Sequence, residues 1–341
     1  MNLIIPMAGK GTRMRPHTLT IPKPFIPVAG KPIIERLIME LCTAFKGKSV
    51  KNIGFVVNDL DKKNLECLVK IAEGINANPK FYTQNPPSGT AHAISCAHEL
   101  LSGEVIIAYA DTLFKQNESI DYEFNNCIWV KNVANPSSFG VVKCNEVGVI
   151  TDFVEKPQTL ISNLAVIGIY CFKDGLQLSY YINKSIKEGI KNRNEYELTF
   201  VLEMMKNDGI VFCSKSVDEW LDCGNAKATL YANERFLKFT EKSNLVSSSA
   251  LISNSVLIQP VFIGNEVEVT NSVIGPYVSI SNFSKVKNSC ISNSIIQSNS
   301  VLQNANISQS LFGNFVNFVD KSSQMYIGDY NDIFMGSLSE W

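Results

Sequence analysis

An α/β domain with a mostly parallel sheet and helices on both faces, followed by a domain of short repeated β coils, is the fold class the sequence predicts. Two observations carry this reading. From Met1 to about Ser216 apolar strands alternate with amphipathic helical stretches, the pattern of a sheet packed between helices. After Ser243 helical periodicity stops, Ser and Asn crowd in, and single Ile, Val, Leu or Phe residues recur every five or six positions.

The first domain opens on a buried strand, Leu3 to Ile5. Further strands are expected over Ile53 to Val57, Glu104 to Tyr109 and Gly140 to Cys144. Helices are expected over Pro32 to Phe45, Asp61 to Glu73, Gly89 to Leu101 and Leu198 to Asn207. A last helix, Asn225 to Lys242, leads out of the domain. In such a sheet, ligands sit beyond the carboxyl ends of the strands.

The second domain rests on one ladder: Ile252, Ile258, Ile263, Val269, Ile274, Ile280, Val286, Ile291, Ile296, Leu302, Ile307 and Phe312. Taking every third member gives a coil of about sixteen or seventeen residues with three short flat faces. Disorder would not keep the ladder. Residues 321–341 do not follow it and are set apart as a C-terminal tail, which leaves 1–242 and 243–320 as the two domains.

Composition narrows the partners. The chain has 341 residues, 45% of them hydrophobic and 18% charged, in the range of a soluble globular protein with room for two cores. A formal net charge of -1 gives no basic footprint for nucleic acid. Nine cysteines without a C-x-x-C pair predict reduced thiols in the cytoplasm, not a disulfide framework. The three histidines do not cluster with cysteines, so zinc has no support. No apolar run reaches membrane-spanning length, and the N-terminal strand runs directly into a motif without a basic leader.

That first motif is the run Met7-Ala8-Gly9-Lys10-Gly11-Thr12-Arg13. Small residues at Ala8, Gly9 and Gly11 let the backbone approach a ligand, and successive N–H groups in such a turn form an anion site. Arg13 adds a forked cation suited to phosphate, and Lys23, between Pro22 and Pro24, adds another. The run lacks the Gly-Lys-Ser/Thr of a P-loop and the third glycine of a dinucleotide fingerprint. Further on, Gln84 precedes Gly89-Thr90-Ala91; an amide can donate to and accept from a base edge, and a glycine lets a planar base lie on the backbone. Asp111 follows a strand end, where a carboxylate suits Mg²⁺ and phosphate oxygens.

Taken together, these runs resemble the signature of sugar-1-phosphate nucleotidyltransferases, of the glucose-1-phosphate thymidylyltransferase type. Gly9, Gly11, Thr12, Arg13, Pro22, Lys23, Pro27 and Val28 stand at its G-x-G-T-R and P-K-x-x-x-P-V positions, with Ala8 where the family often has glycine. Gln84, Gly89, Thr90 and Ala91 resemble the base-recognition stretch Q-x-x-x-G-T-A. Asp111 stands at the family's G-D-N, with Ala110 and Thr112 departing from it, and Asp222 at W-x-D-x-G-T, with Asn225 in place of the threonine. Phe139-Gly140-Val141 and Glu155-Lys156-Pro157 resemble the sugar-phosphate site; Ile167 and Tyr170 resemble its wall, and Glu197 an acidic residue on the sugar.

The resemblance implies a Rossmann-like nucleotidyltransferase domain and, for the ladder, a left-handed parallel β-helix of hexapeptide repeats. It implies Arg13, Lys23, Asp111, Lys156 and Asp222 as catalytic, with Asp111 and Asp222 holding Mg²⁺. The substrates implied are a nucleoside triphosphate and a sugar 1-phosphate. Gln84 points first to dTTP or UTP, and glucose 1-phosphate is preferred by family habit. A mannose-1-phosphate guanylyltransferase and a non-catalytic nucleotide-sugar sensor are the alternatives. An acyltransferase in the repeats is disfavoured, because His17, His92 and His98 all lie in the first domain. The flat coil faces and their uncovered ends predict a homo-oligomer.

Overall fold

The computed structural model describes residues 1–117, 126–191, 194–240 and 245–320. The tail 321–341 and the domain boundary at 242–243 lie outside the described residues.

The first domain contains strands β1 (Asn2–Pro6), β2 (Pro27–Val28), β3 (Lys31–Pro32), β4 (Asn52–Val57), β5 (Asn78–Thr83), β6 (Val105–Ala108) and β7 (Thr112–Lys115). They are followed by β8 (Cys127–Asn132), β9 (Gly140–Cys144), β10 (Ile150–Glu155), β11 (Leu164–Phe172), β12 (Cys213–Ser216) and β13 (Glu219–Asp222). The helices are α1 (Ile33–Ala44), α2 (Lys62–Glu73), α3 (Thr90–Cys96), α4 (Gly175–Lys187), α5 (Leu198–Asn207) and α6 (Ala226–Phe239).

The main sheet runs β10-β9-β11-β6-β1-β4-β5, with β8 also paired to β11 and β12 to β8. Strands β6, β1, β4 and β5 form a parallel run; β11 pairs antiparallel with β6, β8 and β9, and β12 adds a parallel pair on β8. Alternation along β1 explains the two cores. Leu3 and Ile5 join a cluster with α1 and α6 residues such as Leu37 and Phe236; Ile4 joins the opposite cluster with Ile94, Leu178 and Leu202 from α3, α4 and α5. The helix expected over Gly89 to Leu101 breaks at Ala97, and a 3-10 turn over His98–Leu100 follows. The break sends Leu100 into the core against Gly54, where a Cβ would lie 2.6 Å from the leucine methyl.

The second domain is built from three parallel sheets that take one short strand each from every coil. Strand partners lie seventeen and then sixteen residues apart, as Ile252↔Val269, Val269↔Val286, Val286↔Leu302 and Leu302↔Phe318 show. This is the triangular coil of a left-handed β-helix, and ladder members from Ile263 to Leu302 are buried along its axis. One rung differs from expectation. Leu257, not Ile258, pairs with Ile274, and Ile258 is exposed. The ladder also extends past Phe312 to Phe318.

The corners explain the Ser and Asn content. Asn254, Asn271, Asn288 and Asn304 adopt positive φ, a conformation asparagine tolerates. Their amides are linked edge to edge: Asn254 Nδ2 donates to Asn271 Oδ1 (2.7 Å), Asn271 to Asn288 (3.3 Å), and Asn288 to Asn304 (3.2 Å). Beside them, the backbone N–H groups of Ser272, Ser289 and Ala305 donate to the hydroxyls of Ser255, Ser272 and Ser289 of the preceding coil.

The two domains share a seam centred on Asn233 of α6. Its Oδ1 accepts from Ala29 N (2.8 Å) and Ser279 Oγ (2.7 Å), and its Nδ2 donates to Tyr277 O (3.3 Å). Phe262 packs over Gly30, where a Cβ would fall 2.3 Å from the ring. The β-helix therefore covers the loop that follows Lys23.

Candidate active site

Two clefts open at the carboxyl ends of the parallel strands. The first, of about 430 Å³, is lined by Ala8, Gly9, Gly11, Thr12, Arg13, Lys23, Gln84, Gly89, Thr90 and Asp111. The second, of about 350 Å³, is lined by Gly140, Glu155, Lys156, Ile167, Tyr170, Glu197 and Asp222. Arg13, Thr90, Tyr109, Asp111 and Glu195 border both. Every residue given a catalytic or binding role from the sequence thus lies on one cleft or the other, and the clefts meet at Arg13 and Asp111.

Local structure explains these placements. Gly11 takes a left-handed conformation (φ +58°) at the start of a 3-10 turn, and its carbonyl accepts from Thr18 Oγ1 (2.7 Å). A side chain at Gly11 would press on Thr18 and Lys23, whereas nothing lies within 4 Å of a Cβ at Gly9. The turn therefore faces open space at Gly9 and is braced at Gly11. Lys23 is buried and its Nζ lies 2.7 Å from Asp111 Oδ2.

The two aspartates meet through strand pairing. Antiparallel β13 lies on β7 with Asp222 opposite Thr112, and Cys223 N donates to Asp111 O (2.9 Å). Burial, and secondarily the Asp111 charge, raise the Asp222 carboxyl above its usual range; Lys23 and Arg13 pull it back in part, as does a hydrogen bond from the Gly224 backbone. A Cβ at Gly224 would lie 2.8 Å from Asp222 Oδ2. Among the described residues no group of three or more metal-ligating side chains converges. Two carboxylates beside the cations Lys23 and Arg13 fit Mg²⁺, which takes one or two carboxylates and completes its shell with substrate oxygens and water. Burial first, and the Asp111 charge second, disfavour the ionised Asp222 carboxylate, a cost that such an ion would offset. Departures from the family pattern are absorbed locally: Thr112 Oγ1 donates to Ile167 O (2.5 Å), and Asn225 caps α6 by accepting from Ala228 N (2.9 Å).

On the second cleft Glu155 stands opposite Gly140 in the β9–β10 pair, and a Cβ at Gly140 would lie 3.0 Å from Glu155 Oε2. That oxygen accepts from Thr199 Oγ1 (2.8 Å) on α5. Lys156 takes a left-handed conformation (φ +45°), its backbone N–H donates to Phe139 O (3.1 Å), and its ammonium lies 3.4 Å from Glu155 Oε1. The turn at Lys156 directs the strand end back over the Phe139 loop. Arg13 and Lys156 also line one shallow depression together with Ser138. Of the two cations, Lys156 lines the second cleft only, whereas Arg13 borders both.

Tyr109 and Glu195 border both clefts and escape sequence reasoning. Tyr109 and Tyr170 pack with ring centroids 5.5 Å apart at the cleft wall, and burial pushes the Tyr109 hydroxyl up to about 12, so it stays neutral. Gly168 makes room for Tyr109: a Cβ there would lie 2.9 Å from the ring. Thr90 Oγ1 accepts from Leu198 N (2.9 Å) and ties the start of α3 to α5. Glu195 stands on both clefts, and only its closeness to Glu197 in the run Glu195-Tyr196-Glu197 hinted at it. All nine cysteines are unpaired, with Cys171 and Cys223 buried. Among the described residues no helix is long and apolar enough to cross a membrane.

Comparison with known proteins agrees with this geometry. The chain is 31% identical over 267 residues to "Bifunctional protein GlmU" of Methanococcus maripaludis, covering 76% of this chain and 60% of that protein. It is 26% identical over 369 residues to "Low-salt glycan biosynthesis nucleotidyltransferase Agl11" of Haloferax volcanii, covering 98% and 99%. "Glucose-1-phosphate thymidylyltransferase" of Streptomyces griseus is 26% identical over 362 residues, covering 97% and 98%. In fold, the chain resembles a crystal structure of UDP-glucose pyrophosphorylase complexed with UDP-glucose, with a TM-score of 0.58 and 24% identity over 70% of this chain and 99% of that one. Residues 3–238 match the family described as "Nucleotidyl transferase", and on that extent of match the chain belongs to the nucleotidyl transferase family.

Proposed function

We propose that the protein transfers a nucleotidyl group from a nucleoside triphosphate, with dTTP or UTP favoured, to a sugar 1-phosphate, with glucose 1-phosphate favoured. The products are a nucleoside-diphosphate sugar and pyrophosphate. The observation that carries the reading is the meeting of two clefts at Arg13 and Asp111, one floored by the glycine turn and the other by Glu155 and Lys156.

The base would lie against the Gln84 amide and the Gly89 backbone, and the triphosphate along the turn from Ala8 to Thr12. The sugar would lie among Gly140, Glu155, Ile167 and Tyr170, with Glu197 at its edge, and Lys156 would take its phosphate. A sugar-phosphate oxygen would then attack the α-phosphorus in line, forming one P–O bond as the bond to the β-phosphate breaks. The nucleophile is already an anion, so no side chain needs to take a proton. Arg13 and Lys23 would neutralise charge that builds on the reacting phosphates. A magnesium ion held by Asp111 and Asp222 would supply further charge neutralisation there.

In this proposal the β-helix is structural and carries contacts between subunits of a cytoplasmic homo-oligomer. Leu251, Ile252, Val256 and Ile258 of its first coil are exposed, which supports an assembly surface. A grid of nucleoside triphosphates against sugar 1-phosphates, read by pyrophosphate release, tests the activity, and light scattering tests the assembly. Pyrophosphate from the guanine–mannose pair would select the guanylyltransferase reading. Tight binding of a nucleotide sugar with no pyrophosphate from any pair would select the sensor.

A further inference from the structure

The side chain of Gln84 is buried at the end of β5 and faces the first cleft. Its Nε2 lies 2.9 Å from Gly89 O and 3.1 Å from His92 Nδ1. A carbonyl oxygen can only accept, so the end of the amide that faces Gly89 is the nitrogen. An amide nitrogen has two protons. One goes to Gly89 O and the other to His92 Nδ1, which places the imidazole proton on Nε2.

Both acceptors are held in place. Gly89 has φ +109°, and a Cβ there would meet Tyr196 backbone N and O at 2.6 and 2.5 Å, so no other residue fits and its carbonyl direction is set. That carbonyl also accepts from Ala93 N (3.1 Å). His92 stands in the first turn of α3, with its own carbonyl accepting from Ser95 Oγ (2.8 Å). Among the described residues no donor reaches Gln84 Oε1.

We infer that His92 is a specificity-determining positioning residue: it consumes the second amide proton of Gln84 and leaves that side chain as a hydrogen-bond acceptor only. The inference rests on the proposed use of the first cleft by the base. It narrows the expectation that Gln84 both donates to and accepts from the base edge. Uracil and thymine offer an N3–H, and guanine an N1–H, to such an oxygen. Cytosine N3 and adenine N1 are themselves acceptors and would set one lone pair against another. A site that places an acceptor opposite the ring N–H disfavours a base whose ring nitrogen there is itself an acceptor, because two lone pairs then face each other. Without His92 the second amide proton is free to meet a base acceptor, although Gly89 O still fixes which end of the amide is nitrogen, and discrimination falls.

The experiment compares the parent with His92→Leu, which removes the acceptor, and His92→Asn, whose Oδ1 can replace Nδ1. Affinities for UTP and CTP are measured by calorimetry without sugar 1-phosphate, and KM and kcat follow with it. The parent is expected to prefer UTP over CTP by about a hundredfold or more. His92→Leu should narrow that ratio by roughly tenfold, through the nucleotide KM and not the sugar 1-phosphate KM, and His92→Asn should restore most of it. Equal affinity of the parent for UTP and CTP overturns the inference, as does an unchanged ratio in His92→Leu. A His92→Leu defect that is the same for every base, or that His92→Asn shares in full, also overturns it. The calorimetric ratio stands apart from turnover: a parent that discriminates between bases but releases no pyrophosphate keeps this inference and sinks the proposed reaction.

Discussion

The ammonium of Lys23 lies 2.7 Å from a carboxylate oxygen of Asp111, beside a second carboxylate on Asp222. Three charges from three separate segments thus share one corner where the clefts meet. Lys23 is buried and supplies part of that corner's charge balance. Chelation of divalent metal is expected to abolish turnover while leaving the melting temperature within a degree or so, since a change smaller than about 0.5 kcal/mol moves Tm little. Lys23→Ala should lower both turnover, by about a hundredfold or more, and the melting temperature. Parallel melting curves and pyrophosphate assays decide; a large drop in Tm on chelation would mean that the metal, not Lys23, holds the corner.

Asp222 gives a prediction in which stability and activity move apart. Burial and the Asp111 charge raise its carboxyl in the folded protein. A group raised in this way favours the folded state below its unfolded pKa, and that contribution is lost as pH rises through the folded value. At neutral pH the ionised Asp222 therefore works against folding. Asp222→Asn is expected to melt at or above the parent at neutral pH, and the two should converge as pH falls below the ordinary carboxylate range. Its turnover should fall by about a hundredfold or more, because the charge is missing where the metal would be held. A variant that melts well below the parent at neutral pH, or keeps turnover within about threefold, contradicts this.

The shared position of Arg13 changes what its removal should do. Lys156→Ala is expected to raise the KM for sugar 1-phosphate by about tenfold or more and to leave the nucleotide KM near the parent value. Arg13 borders both clefts, so Arg13→Ala should impair the use of both substrates. Titrating each substrate at saturating levels of the other checks this. If Arg13→Ala alters the nucleotide KM alone, its place on the second cleft has no functional weight.

Local chemistry was legible in the sequence, and pairing across long separations was not. The turn from Ala8 to Arg13 declared itself because small residues and a cation at that spacing have few other uses. The β-helix declared itself through a ladder that no helix or disordered tail would keep. Even there the ladder reads one place off at Ile258: Val256-Leu257-Ile258 is apolar throughout, and only pairing to Ile274 shows that Leu257 is the rung. Asp111 and Asp222 could be joined only through family likeness, since their contact depends on β13 lying against β7. His92 carried no signal, because an imidazole in a helical turn acquires its role from the amide it faces. Asn233 was equally silent: its three partners come from the Lys23 loop and the β-helix, and periodicity says nothing about either.

The asparagine corners have a consequence for the chemical ageing of the protein. Deamidation proceeds when the backbone nitrogen after an asparagine attacks that residue's own carboxamide, and Asn-Ser sequences are prone to it. In the coils that nitrogen is engaged: Ser272 N and Ser289 N, which follow Asn271 and Asn288, are bound to hydroxyls of the coil before. The carboxamides are fixed as well, each bound to the next along the edge. The folded β-helix should therefore keep Asn271 and Asn288 intact for far longer than the unfolded chain, where the same Asn-Ser pairs are free to cyclise. Mass spectrometry of peptides from folded and denatured samples, aged side by side, reads this directly, and equal isoaspartate in both would show that the corners give no protection. A molecule that has lost an amide at one corner would gain a charge in the middle of the stack, so its age would be written in its coils.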